Sequence, residues 1–268
     1  MKKRTLFFGI GMAALTSMPV LADDDDEEES PWDVAEVFFE LNNTDGDLGI
    51  HALIDGEPWK RMQIFDAKER RMLMVAARGR LRRQGVTEIF FESAEPTFDV
   101  LAPEDFFRRF PEGTYEVEGT TLEGDELESE TDITHAMPAP PVPTVNGIAA
   151  ARQCNDEEPG FDAPLIIADD YVIAWDPVTT THPSIGQPRA APGLVVVNYQ
   201  VVVEAEFDIN GDEFASIFSV ILPPDVTEMT IPAEFMRQAG DFKYEVLARE
   251  ESWNQTAIES CFLTEVED

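Results

Sequence analysis

Residues 103–117 read "PEDFFRRFPEGTYEV" and residues 232–246 read "PAEFMRQAGDFKYEV". At a constant offset the pairs Pro103/Pro232, Phe106/Phe235, Arg108/Arg237, Tyr115/Tyr244, Glu116/Glu245 and Val117/Val246 are identical. Each copy reads as a proline opening one helical turn, a glycine-containing bend, and a strand led by tyrosine. Both copies sit just before the last strands of their half of the chain. That shared position points to two related modules.

The runs around the copies are short and apolar or alternating, with turn residues between them. Val34–Leu41, Met62–Phe65, Met72–Ala77, Thr87–Glu92 and Tyr115–Gly119 read as strands in the first half. In the second, Leu165–Ala168, Tyr171–Trp175, Leu194–Phe207, Phe214–Leu222, Phe242–Ala248 and Ile258–Thr264 do so. Asn210-Gly211 is a hairpin signal, because both residues tolerate positive φ. Thr179–Gly193 reads as a proline-rich loop. Residues 136–145, "AMPAPPVPTV", carry a proline density expected of a semi-rigid spacer, and limited proteolysis is expected to separate the modules at residues 136–160.

The second half resembles a fibronectin type III domain. The resemblance rests on Ile173-Ala174-Trp175-Asp176-Pro177, Tyr199-Gln200-Val201 and Phe242-Lys243-Tyr244-Glu245-Val246-Leu247-Ala248. It implies that Trp175 is the core tryptophan between two sheets, with Tyr199 beside it. It also implies that Tyr244 is a corner tyrosine whose hydroxyl bonds the preceding loop. The first half, with Tyr115 in the equivalent place, resembles an immunoglobulin-like sandwich through the repeat and the strand spacing. The expected fold class is all-β: two tandem immunoglobulin/fibronectin-III-like β-sandwiches after a cleaved signal peptide. The expected divisions are 1–22 signal peptide, 23–31 acidic tail, 32–135 first sandwich, 136–158 linker and 159–268 second sandwich.

The signal-peptide reading rests on Lys2, Lys3 and Arg4, the apolar Leu6–Met18, and Val20-Leu21-Ala22 before the cleavage point. Export to the periplasm or the extracellular space follows, and no later apolar run is long enough for a membrane anchor. Cleavage takes the 19 bases to 16 against 54 acids, a net charge of −38. Such a charge disfavours nucleic acid and anionic lipid; many acids with few lysines suit a salty habitat. Asp23–Glu29 is an acidic, solvated tail. Cys154 and Cys261, the only cysteines, are expected to form a disulfide in that oxidising compartment.

Motifs of catalysis are sparse. The sequence has no Gly-x-Ser-x-Gly, His-Glu-x-x-His or Gly-Lys-Ser/Thr. His51, His135 and His182 lie far apart, and the latter two read as surface loop residues. Asn43, Asp45 and Asp47 are candidate calcium ligands, although their spacing fails the EF-hand pattern and a hairpin turn is the preferred reading of them. Trp32, Trp59 and Trp253 are candidate stacking platforms or plugs of a sandwich end. Residues 60–83 hold nine of the 16 remaining bases. Arg78, Arg80 and Arg82, with Arg83, read as one face of a strand that neutralises Glu88, Glu92, Glu116 and Glu118; an anion site or a docking stripe for a second copy is the alternative.

These readings converge on a non-catalytic binding or scaffold protein of the bacterial envelope. No cofactor is required, and the partner would be an envelope protein or polysaccharide, with self-association open. A calcium-dependent adhesion module, and a hydrolase with a carboxylate pair at the module junction, are the alternatives.

Overall fold

Both copies of the repeat fold as their residues dictate. In this computed structural model, which describes residues 30–155, 158–186, 193–209 and 212–265, the chain runs β1 (Val34–Asn42), β2 (Asp47–Phe65), β3 (Arg71–Ala76), α1 (Gly79–Gln84), β4 (Val86–Glu92), α2 (Pro103–Arg109), β5 (Gly113–Thr121) and β6 (Glu126–Ile133). It continues through β7 (Thr144–Val145), β8 (Ile148–Ala149), β9 (Tyr171–Ala174), β10 (Val196–Ile209), β11 (Asp212–Leu222), β12 (Glu228–Ile231), α3 (Ala233–Met236), β13 (Asp241–Glu250) and β14 (Gln255–Leu263). The signal peptide, the acidic tail to Glu29 and the Asn210-Gly211 turn lie outside the described residues.

The fold is all-β. Pro103 opens α2 and Pro232 caps α3, where a missing N–H costs nothing. Each short helix buries a pair, Phe106 and Phe107 in one copy and Phe235 and Met236 in the other. Each then leads into a strand that buries its tyrosine and its valine. The pairing order repeats too: β3–β2–β5–β6 in the first half, β11–β10–β13–β14 in the second. The repeat therefore marks two equivalent four-strand runs of one ten-stranded sheet, each facing its own apolar cluster.

In the first half the opposing layer comes from β1, β4 and residues 47–55 of β2. β2 changes partners near Trp59, where its registers with β4 and β5 are irregular. Gly119 lets Trp32 lie flat on β5, since a Cβ there would meet the ring at 2.2 Å. Trp32 and Trp59 meet edge-on at 6.0 Å inside this cluster and so are not stacking platforms. In the second half the opposing layer is a small sheet ordered β12–β9–β7–β8. Trp175, directly after β9, is buried with its ring 5.2 Å from that of Tyr199.

The structure corrects several expectations. The basic stretch is a helix, α1, with no buried residue, not a strand. Its residues are strong helix formers bracketed by Gly79 and Gly85 at positive φ, and no neighbouring strand captures them. Arg78, Arg80, Arg82 and Arg83 form no ion pair with a described residue, so the neutralising face does not exist there. Arg70 instead clamps the buried Asp66 through Nε and Nη2 at 2.8 and 2.6 Å. Leu165–Ala168 forms only an isolated bridge from Leu165 to Leu263. β6 and β12 were not anticipated.

Tyr244 also departs from its expected role. Tyr115 donates its hydroxyl to Pro111 O at 3.0 Å, the corner bond, but Tyr244 makes no such bond. The carbonyl equivalent to Pro111 O is Gly240 O, and the Thr264 N–H already occupies it. We expect Tyr115→Phe to cost about 1 kcal/mol and Tyr244→Phe to stay within about 0.5 kcal/mol of wild type, read by urea unfolding.

The segment expected to be a spacer is built into the fold. Ala136 and Met137 are buried, and Thr144–Val145 and Ile148–Ala149 form β7 and β8. Above it the two halves join directly: β1 pairs in parallel with β14, Glu40 beside Gln255 and Asn42 beside Ala257. Asn254, fully buried, holds this seam. Its Oδ1 accepts the Phe39 N–H at 2.8 Å, and its Nδ2 donates to Thr134 O at 2.8 Å and Ala136 O at 3.2 Å. Thr256 donates to Pro138 O. His135 and His182 are buried in the same junction rather than exposed, on Phe110 O and Asn43 Oδ1 respectively. Asn254→Ala strands one amide and two carbonyls in an apolar setting and is expected to cost about 3 kcal/mol. A shift in the urea midpoint that matches an exposed Asn→Ala control would show that the seam carries little.

Candidate functional site

Beside the seam, strands of both halves turn one face outward. Alternation along β13 sends Phe242, Tyr244, Val246 and Ala248 to the core and Lys243 and Glu245 to the opposite face. Register then sets Glu245 against Glu259 of β14, Lys243 against Glu204 of β10, and Glu40 of β1 against Gln255. The result is a groove of about 460 Å³, lined by Glu204, Lys243, Glu245 and Glu259 from the second half and by Thr44 and Asp45 from the first. One wall is the segment Ala151–Cys154, fastened to β14 by the disulfide Cys154–Cys261, which closes a separation of 107 residues.

This face holds more negative charge than its cations neutralise. Burial raises the Glu245 carboxyl to about 8, and Glu40, Glu259 and Glu95 push it the same way. Burial and then repulsion from Glu95, Asp45, Glu259 and Glu40 lift Asp47 to about 6. Glu259 is raised by burial and by Asp45, against the pull of Asn42 and Lys243. Glu40 is raised by burial, which outweighs His51 and Gln255. Lys243 reaches Glu206 at 2.6 Å, and Arg249 Nε donates to Gln255 Oε1 at 2.7 Å, while Gln255 Nε2 donates to Glu40. Carboxylates that repel one another in a partly dry setting retain protons, and such clustering of shifted groups marks functional sites.

Of the residues singled out in the sequence, Cys154 and Cys261 are bridged, and Asp45 lines the groove. Asn43 and Asp45 belong to the β1–β2 turn, and Asp47 opens β2. Asn42, not Asn43, organises that turn by accepting the Thr44 and Asp45 N–H groups, and Asn43 Oδ1 is taken by His182. Among the described residues, Asp45 and Asp47 are not members of a convergent His/Cys/Asp/Glu ligand group. The arginines of α1 are not part of the groove lining. Glu40, Glu95, Glu245 and Glu259 were not singled out as site residues in the sequence, and His51 and Glu92 figured there only as an isolated histidine and a partner of the basic stretch. Only Glu245 carried a signal, its identity with Glu116 in the repeat.

No protein-family model and no curated protein matches the chain. Among solved structures it is similar to a bacterial ice-binding adhesin studied for host cell surface retention, with a TM-score of 0.22 and 9% identity over 89% of this chain and 67% of the other. It is similar to a tetra-tandem repeat in the extending region of a large adhesion protein, TM-score 0.25 and 11% identity over 87% of this chain and 50% of that one. It is similar at the same level to a β-glycosidase from Bacteroides vulgatus, TM-score 0.21 and 9% identity over 87% of this chain and 25% of that one. The chain thus spans half or less of the last two. Likenesses this distant carry no argument about activity. No described helix is long and apolar enough to cross a membrane.

Proposed function

We propose that the chain is an exported, non-catalytic binding protein of the bacterial envelope, and that its groove captures a cationic segment of a partner. The supporting observation is the groove's crowding of carboxyl groups: Glu259, Glu204 and Asp45 face one opening together with Glu245, whose proton a bound cation would displace, against the cations Lys243 and Arg152. A cationic ligand would relieve that repulsion, whereas an acidic polymer would add to it. The seam supports the reading mechanically, since β1–β14 pairing holds groove residues of both halves in one register. Calorimetric titration with an oligolysine peptide tests it. The expected result is salt-sensitive binding that weakens roughly tenfold in Glu245→Gln/Glu259→Gln, about 1.4 kcal/mol. Equal binding by wild type and variant would remove the groove from the account.

One observation favours a second reading. Glu245, carrying its proton at neutral pH, stands directly across from Glu259, as an acid and its partner carboxylate do in glycoside hydrolysis. Turnover of nitrophenyl glycosides that disappears in Glu245→Gln would favour the enzyme; no turnover by wild type leaves the binding reading.

A further inference from the structure

Away from the groove lining, β2, β4 and the loop that follows β4 converge on a histidine. Cross-strand register sets His51 opposite Glu92, the last residue of β4. The chain then continues antiparallel along β2 as far as Gly46. Ile50 and Ser93 exchange two bonds of 3.0 Å, one through the Ser93 hydroxyl, and the Phe98 N–H reaches Gly46 O at 2.8 Å. This carries Glu95 across β2 directly over Gly49. A Cβ at Gly49 would stand 1.9 Å from Glu95 Oε1, so only glycine admits the Glu95 carboxylate here. Glu95 Oε1 thereby lies 2.8 Å from His51 Nε2. His51 is 3% exposed, a depth at which an imidazole needs partners on both nitrogens. Its Nδ1 faces Glu40 Oε2 at 3.7 Å, and Gln255 fixes Glu40 in turn.

From this geometry we infer that His51, Glu92 and Glu95 form a binding site for one divalent transition-metal ion. One ligand atom from each lies within 4.8 Å of the other two. Ligands about 2.0–2.2 Å from a shared ion stand roughly 3.3 Å apart, so only the exposed Glu92 side chain has to close in. Glu40 supplies the outer carboxylate on Nδ1. With an ion on Nε2, the ring proton would move to Nδ1, where Glu40 at 3.7 Å is the carboxylate placed to close in on it. One nitrogen with two carboxylates suits zinc, manganese or cobalt, whereas calcium and magnesium prefer oxygen alone. The site shares none of its three ligands with the groove, so it goes beyond the binding reading and stands independently of it.

The test uses the tag-free full chain, stripped with a chelator and titrated with Zn²⁺ while excess Mg²⁺ occupies the general acidic surface. One Zn²⁺ per chain is expected, with the His51 Nε2 resonance shifted in long-range imidazole NMR spectra. Glu92→Gln, an exposed change that leaves the strands intact, should weaken Zn²⁺ roughly tenfold or more, as should Glu95→Gln. Glu204→Gln, on the groove lining but not coupled to Glu40 or His51, should leave Zn²⁺ binding unchanged, which separates this site from the groove. Three outcomes overturn the proposal: no stoichiometric binding above the Mg²⁺ background, unaltered affinity in both Glu92→Gln and Glu95→Gln, or a zinc shift on His135 or His182 instead of His51.

Discussion

Replacing Cys154 and Cys261 together by serine will lower the unfolding free energy by about 4.7 kcal/mol. The bridge closes a separation of 107 residues, so the denatured chain loses much of its freedom when the bond is intact. Cys261 is buried in β14 and Cys154 stands on the wall of the groove. Loss of the bridge therefore also frees Ala151–Gln153 from the β14 edge, where Ser260 donates to Ala151 O at 3.2 Å. Guanidinium unfolding of the oxidised, reduced and double-serine forms measures the effect. Losses below about 1 kcal/mol in both altered forms would mean that the denatured ensemble is already restrained by other means.

The second large effect concerns Glu245 and pH. Its carboxyl has an ordinary value of 4.5 and is held at about 8 in the folded chain, first by burial and then by Glu40, Glu259 and Glu95. Between those values the folded state binds a proton that the unfolded state has released. Glu245 therefore does not oppose folding below pH 4.5, and its contribution falls steadily until the folded group ionises near pH 8. The full swing is on the order of 5 kcal/mol. Glu245→Gln keeps the shape without the charge, so it should match wild type near pH 4.5 and exceed it in stability at pH 8. Parallel pH profiles for the two proteins would show that Glu245 is solvated like a surface carboxylate.

The paired sheets were legible because their signal is local. Phe106 and Phe235, Tyr115 and Tyr244, and Val117 and Val246 are buried at the same steps of the same motif. β6 was harder to read because its inward positions hold Ser129 and Thr131 between Leu127 and Ile133, which breaks the apolar alternation. The first part of β2 was hidden by Gly49 and Asp55-Gly56, which read as turn residues. Gly49 is there to admit Glu95 and Gly56 to admit the Trp32 ring. Arg78, Arg80 and Arg82 misled because alternation in six residues is equally compatible with one and a half turns of helix. The candidate site was the least legible. It depends on parallel pairing between β1 and β14, more than 200 residues apart, and on the fall of four carboxylates from separate elements onto one face. No local pattern announces such a pairing, and 54 acidic residues offer too many candidates for composition to choose among them.

The most direct test of the central claim is an amide chemical-shift map of the isotopically labelled chain titrated with oligolysine. The account predicts that shifts at Thr44 and Asp45 of the first half and at Lys243, Glu245 and Glu259 of the second move together along one binding curve. Shifts confined to one half, or spread evenly over exposed acidic residues while those five stay fixed, would contradict it.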